Sequence, residues 1–155
     1  NLVDALKYPP KGLRGLGLYR AQGYGDNLNN YYRWNNSQSV LIIQIESKEG
    51  IENIKDITKN KNIDAVMVGP YDLSASLGVP GEFKSTKYQN ALSVVIKQLK
   101  IKNIPAGIHV VSPNINEAKS FIKKGFRFIS FSLDSLILKN TMNISIKKIK
   151  NDFKI

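Results

Sequence analysis

IDAVMVGPYDLSASLG, residues 63 to 78, opens as an apolar run, breaks at Gly69-Pro70, and resumes with small helix-compatible residues after a single acid, Asp72. Its first part, IDAVMVG at 63–69, reads as a buried β-strand. Upstream, VLIIQIE at 40–46 is a second apolar strand, and the polar segment between them carries Ile51, Ile54 and Ile57 at helical spacing. That is one β-α-β unit. The pattern repeats downstream: a helix over 85–101, the strand AGIHVVS, a helix around INEAKSFIKKG, the strand FRFISFS and a closing amphipathic helix near 141–153. Near-continuous apolar strands alternating with helices predict an α/β fold with a parallel sheet covered by helices.

Four strands leave the architecture open. A closed eight-stranded barrel takes about 250 residues, whereas an open doubly wound sheet usually has five or more strands and its own nucleotide loop. The first 38 residues offer no strand: they carry YPPKGLRGLGLYRAQGYG, a Pro- and Gly-rich loop running into a helix, and then the aromatic cluster YYRW. We read residues 1–155 as a single partial domain, with 1–38 as a loop and helix entry segment and 39–155 as four β/α units. On pattern alone, an open sheet and half of a barrel fit equally.

Composition narrows the class. With 42% hydrophobic and 23% charged residues in 155, the chain has the balance of one globular domain. No apolar run approaches the roughly 18 residues of a membrane helix, and NLVDALKYPP lacks the form of a secretory signal. A cytoplasmic location without membrane attachment is therefore expected. Zero cysteines exclude a disulfide framework, a thiolate metal site and a cysteine nucleophile. The formal charge of +11 raises a nucleic-acid reading. Its distribution speaks against one: Arg14, Arg20, Arg33 and Arg127 are the only arginines, and the lysines scatter over apparent helix surfaces. The chain begins at Asn1 rather than Met, as part of something longer would.

Chemistry concentrates at two strand ends. Gln44 and Glu46 lie two apart in one strand, so both face one way while Ile43 and Ile45 face the other. The next strand leads to Asp72. In parallel α/β folds, sites form at the C-terminal ends of strands, and neighbouring strands lie about 4.8 Å apart. Carboxylates at adjacent ends can therefore converge, and two of them repel unless a divalent cation lies between. An oxygen site with positions open to water and substrate suits Mg²⁺ or Mn²⁺. The plainer readings are Asp72 as a helix N-cap and Glu46 as a strand-end partner for a lysine. The coincidence of Gln44, Glu46 and Asp72 favours a site.

The other candidates carry less. His109, the only histidine, reads as a core residue with a satisfied hydrogen bond rather than a base. Asp134 reads as a cap. Arg14 and Arg20 flank a glycine loop that lacks the last glycine of a dinucleotide fingerprint and follows no strand. Trp34 and its neighbouring tyrosines suit core cover or a subunit contact better than base stacking. No proposed strand contains lysine, so Schiff-base chemistry has no strand candidate.

Taken together, YPPKGLRGLG with its following RA, QIES, DAVMVGPYDLSASLG, AGIHVV and FISFSLD resemble the second half of the HpcH/HpaI aldolases, a family of metal-dependent (class II) 2-oxo acid aldolases that includes 2-dehydro-3-deoxyglucarate aldolase. The resemblance implies the C-terminal half of a (β/α)₈ TIM barrel, usually assembled as a homo-hexamer. It implies cleavage of 4-hydroxy-2-oxo acids to a pyruvate-type oxo acid and an aldehyde through a metal-stabilised enolate. Glu46 and Asp72 would hold Mg²⁺, Mn²⁺ or Co²⁺. Gln44 would contact the oxo acid, and Tyr71 would offer its backbone N–H to the substrate carboxylate, its side chain altering aldehyde access. The family's catalytic histidine and arginine belong to the first half, and His109, Arg14 and Arg20 match neither, so no catalytic residue is expected here. The chain alone is expected to be inactive or severely impaired, with an exposed barrel edge that favours association. A non-catalytic truncated fragment and an anion- or nucleic-acid-binding basic module are the alternatives.

Overall fold

Four short, largely apolar segments set up the sheet. In the computed structural model, which describes residues 2–154, the strands are β1 (Ile42–Ile45), β2 (Ala65–Val68), β3 (Ala106–Val110) and β4 (Phe128–Phe131). They pair in chain order, all parallel. Each is shorter than the apolar run that marks it, because flanking residues such as Glu46 and Gly69 already turn toward the helices. Ile43, Ile45, Val66, Val68, Ile108 and Val110 share one face, and all are buried. The opposite face carries the row Gln44, Met67, Gly107 and Phe128, where Gln44 is exposed and Met67 and Phe128 are half-buried. Parallel sheets are normally covered on both faces. Here helices cover only one.

The covering layer comes from the connections. Helices α3 (Lys48–Glu52) and α4 (Ile54–Ile57) follow β1, α5 (Pro70–Ser76) and α6 (Thr86–Lys102) follow β2, α7 (Ile115–Lys123) follows β3, and α8 (Asp134–Phe153) follows β4. The segment expected as one helix around Ile51–Ile57 divides at Asn53, which ends α3 and caps α4. The buried residues Leu92, Val95 and Leu99 of α6 and Phe121 of α7 close the core over the sheet. Ser85 and Asn114 fix the starts of α6 and α7 by accepting backbone N–H groups. The last helix begins at Asp134, well before the expected 141, and none of its residues is buried.

Residues 2–38 form a separate small packing unit of α1 (Leu2–Leu6), a 3₁₀ turn (Arg20–Gly25) and α2 (Leu28–Gln38). Its centre is Tyr8, fully buried, stacked on Tyr32 with 5.0 Å between ring centroids. Gln22 Nε2 donates to the Tyr8 hydroxyl at 3.2 Å. Lys7 Nζ donates to the carbonyls of Asn35 and Ser39 at 3.2 and 3.1 Å, closing the C-terminal end of α2 where a cation is favoured.

Candidate functional site

Gln44 and Glu46 emerge on the open face because Ile43 and Ile45 are anchored in the core on the other. Gln44 Nε2 donates to Glu46 Oε2, joining the two side chains across the end of β1. They lie over Gly69, directly after β2, where a Cβ would stand 2.8 Å from Glu46 Oε2 and 3.0 Å from Gln44 Nε2. Only a glycine leaves that space. Gly69 also caps α5, and Pro70 occupies its first position, where the missing N–H costs nothing.

Asp72 is consequently inside the first turn of α5. The cap reading of this residue is overturned: the helix starts two residues earlier, at Pro70, because proline is preorganised for that place. A carboxylate in the first turn still meets the positive end of the helix dipole. Asp72 is exposed. Together with Gln44, Gly69 and Tyr71 it lines a cavity of about 460 Å³ on the open face.

His109 lies on the same cavity. The reading of this histidine as a core residue is corrected: it is half-buried on the open face, two residues from Gly107, and Nε2 lies 3.3 Å from the carbonyl oxygen of Ser132. Ser132 has φ of 59°, a left-handed conformation that turns the chain from β4 toward α8. Met67, Ser130 and Leu133 complete the cavity wall.

The remaining candidates lie elsewhere. The Arg14 guanidinium stands 4.9 Å from the centre of the Tyr8 ring, and with the Asn35 amide turned so that both its atoms are satisfied, Nη1 donates to the Asn35 side-chain oxygen at 2.8 Å. It holds the entry unit together. Arg20 is exposed and begins the 3₁₀ turn. Trp34, 49% exposed, tilts against Tyr31 at 5.6 Å. Asp134 occupies the first position of α8 and accepts from the Ser135 N–H at 2.6 Å, while Leu133 is the capping residue. The cap reading of Asp134 is thus displaced by one residue.

The sequence singles out neither Met67 nor Ser132, and marks Gly69 only as the break that ends the strand. For Gly69 a signal existed, the Gly-Pro pair directly before the helix, but the side chains that cross above it belong to another strand. Two carboxylates and an amide oxygen make a hard donor set that fits a divalent cation with water and substrate filling other positions. Among the described residues no group of three or more His, Asp or Glu side chains is gathered for a metal. Of the acidic side chains there, Glu46 and Asp72 are the two that could hold one.

Comparison with known proteins agrees in sequence and in shape. A family model for HpcH/HpaI aldolase/citrate lyase matches residues 1–141. A hydroxypyruvate/pyruvate aldolase of Roseobacter denitrificans is 35% identical over 143 residues, which is 91% of this chain and 55% of that protein. A 2-keto-3-deoxy-L-rhamnonate aldolase of Escherichia coli is 30% identical over 153 residues, 97% of this chain and 56% of that one. The crystal structure of an HpcH/HpaI aldolase/citrate lyase family protein from Burkholderia cenocepacia superposes with a TM-score of 0.87 at 27% identity, covering 96% of this chain and 58% of that one. The chain spans about half the length of the curated relatives it matches, so its four-stranded sheet is part of their barrel. The chain belongs to the HpcH/HpaI aldolase/citrate lyase family.

Proposed function

We propose that this chain supplies the cation- and oxo-acid-binding half of a divalent-metal-dependent aldolase, which cleaves 4-hydroxy-2-oxo acids to a pyruvate-type acid and an aldehyde. The observation that carries this reading is the Gln44–Glu46 pair held over Gly69, with Asp72 three residues along the chain and lining the same cavity as Gln44. Two relatives named as aldolases of hydroxypyruvate/pyruvate and of 2-keto-3-deoxy-L-rhamnonate support a 2-oxo acid substrate.

In this reading Glu46 and Asp72 would hold Mg²⁺, Mn²⁺ or Co²⁺. The chemistry such a cation supplies is Lewis-acid stabilisation of negative charge on the keto oxygen as the carbon-carbon bond breaks. Gln44 keeps one amide hydrogen for the oxo acid while the other is engaged by Glu46. That bond also fixes the direction of the Glu46 carboxylate. The Tyr71 N–H lies in the first turn of α5, where backbone donors have no intrahelical partner, and in this reading it would bind the substrate carboxylate. None of the four strands carries lysine, so a strand Schiff base has no candidate among them. Proton transfer requires a base from the other half of the barrel, and this chain alone is inactive.

Calorimetric titration of Mn²⁺ in the presence of oxalate tests the reading. Binding by the chain that is lost in Asp72→Ala and in Glu46→Gln is the expected result. A folded chain whose Mn²⁺ affinity is the same in both variants overturns the assignment.

A further inference from the structure

The C-terminal edge of the open face holds more than the proposed cation pair. Ile45 pairs with Val68, and Val68 with Ile108, so the next residue along each chain segment brings Glu46, Gly69 and His109 into one row. His109 in turn pairs with Ser130 of β4. Neighbouring strands lie about 4.8 Å apart, which separates the backbones of Glu46 and His109 by roughly 10 Å. Residue 69, between them, is a glycine. His109 lines the same 460 Å³ cavity as Gln44 and Asp72. The imidazole thus stands across β2 from the Gln44–Glu46 pair.

Its tautomer is fixed from the far side. Nε2 lies 3.3 Å from the carbonyl oxygen of Ser132, and a carbonyl only accepts, so Nε2 carries the hydrogen and Nδ1 of the neutral ring keeps a lone pair. Nδ1 has no hydrogen-bond partner among the described residues, yet it is not one of their sealed, unpartnered atoms, as the Ser132 hydroxyl oxygen is. It is an acceptor open to solvent and in want of a donor. On a 2-oxo acid the carboxylate and the keto oxygen only accept, and a hydroxyl is the group that can donate.

We propose that His109 is a specificity-determining residue for the reaction proposed above, its Nδ1 accepting a hydrogen bond from a hydroxyl of the oxo acid, so that the site favours hydroxylated 2-oxo acids over pyruvate. The bond orients the substrate and removes no proton from it. This inference rests on the reading of Glu46 and Asp72 as the pair that fixes the oxo acid through a cation.

The test is titration of the folded chain, in excess Mg²⁺, with hydroxypyruvate and with pyruvate, followed by calorimetry and by the ring ¹⁵N resonances of the only histidine in the sequence. Hydroxypyruvate is expected to bind about 2- to 12-fold more tightly than pyruvate, the ratio expected of one neutral hydrogen bond. It is also expected to move the Nδ1 resonance where pyruvate does not. His109→Leu should abolish the preference. Ser130→Ala, which removes the neighbouring hydroxyl of the same row, should leave the ratio as it is. If His109→Leu does not fold, the Nδ1 resonance of the native chain decides. A preference that survives His109→Leu, a preference lost in Ser130→Ala, or an Nδ1 resonance unmoved by bound hydroxypyruvate overturns this inference and leaves the cation site standing. Binding of neither acid overturns the proposed function together with it.

Discussion

Gly69→Ala isolates the crossing of Gln44 and Glu46 over the end of β2. Gly69 has φ of −90° and ψ of 97°, an extended conformation open to alanine, so backbone strain does not enter. The added Cβ would meet Glu46 Oε2 at 2.8 Å, Gln44 Nε2 at 3.0 Å and Glu46 Cβ at 3.0 Å. The first two atoms are the far ends of side chains and can swing aside. Glu46 Cβ is fixed to the backbone, and carbon contacts settle at about 3.5–4.0 Å, so the ends of β1 and β2 must part by roughly 0.5–1 Å. Overpacking of this kind costs about 1–3 kcal/mol, and a stiffer unfolded chain returns about 0.4–1 kcal/mol. The expected net loss is about 1–2 kcal/mol. With a urea dependence of about 2 kcal/mol per molar, the unfolding midpoint should fall by about 0.5–1 M. The side-chain amide resonances of Gln44 should shift in the same sample. Gly15→Ala is the control, because a Cβ there meets nothing within 4 Å. A Gly69→Ala chain that unfolds where Gly15→Ala does, with the Gln44 amide unmoved, would refute the reasoning.

Gly107→Ala drives a methyl group into the ring of Phe128 on the open face. It should cost about 1–3 kcal/mol in the native chain and little in a Phe128→Ala background, a coupling measurable by a double-mutant cycle. The raised pKa of Tyr88, caused first by burial and then by Glu117, means that the folded chain holds its phenolic proton longer than the unfolded one. Stability is then fully present below the ordinary phenol value of about 10 and falls as pH rises above it, by at most about 1.4 kcal/mol per unit; alkaline denaturation of Tyr88→Phe should show a shallower slope. Helix α8 buries no residue whereas α6 buries Val95 and Leu99. Amide exchange followed by mass spectrometry should therefore be much faster in α8, and equal protection of the two helices would contradict its exposure.

The four strands could be read from sequence because each is an apolar run bounded by polar or breaking residues, and chain-order pairing is the simplest outcome for β/α units. Orientation within a strand was harder. Gln44 and Glu46 announce the open face of β1 by their polarity, but AGIHV has no alternation to declare which side His109 takes. Its face follows from register with β2 and from glycine at 107, both properties of the assembled sheet. Asp72 and Asp134 looked like caps by residue type, yet Gly69 and Leu133 hold those positions through backbone conformation. α8 takes in DSLILKN, upstream of its expected start near 141. The entry unit is built on Tyr8 and Arg14 of the loop and Tyr32 of α2, which share no periodicity.

The parallel, chain-ordered sheet has a consequence for how the proposed cation site comes into being. Gln44 lies in β1, Glu46 and Gly69 directly follow β1 and β2, and Asp72 lies at the start of α5; the ladder joining the two strands runs from Ile42–Ala65 to Ile45–Val68. Such a unit is a local cassette. Its geometry depends on one crossover and one ladder, so it can mature on a growing polypeptide as soon as the second strand has docked, before any ring of strands closes. Acquisition of the ion is thereby separable in time from acquisition of the proton-transfer groups, and a barrel divided between two polypeptides would inherit its cation-binding capacity whole, on one side of the cut.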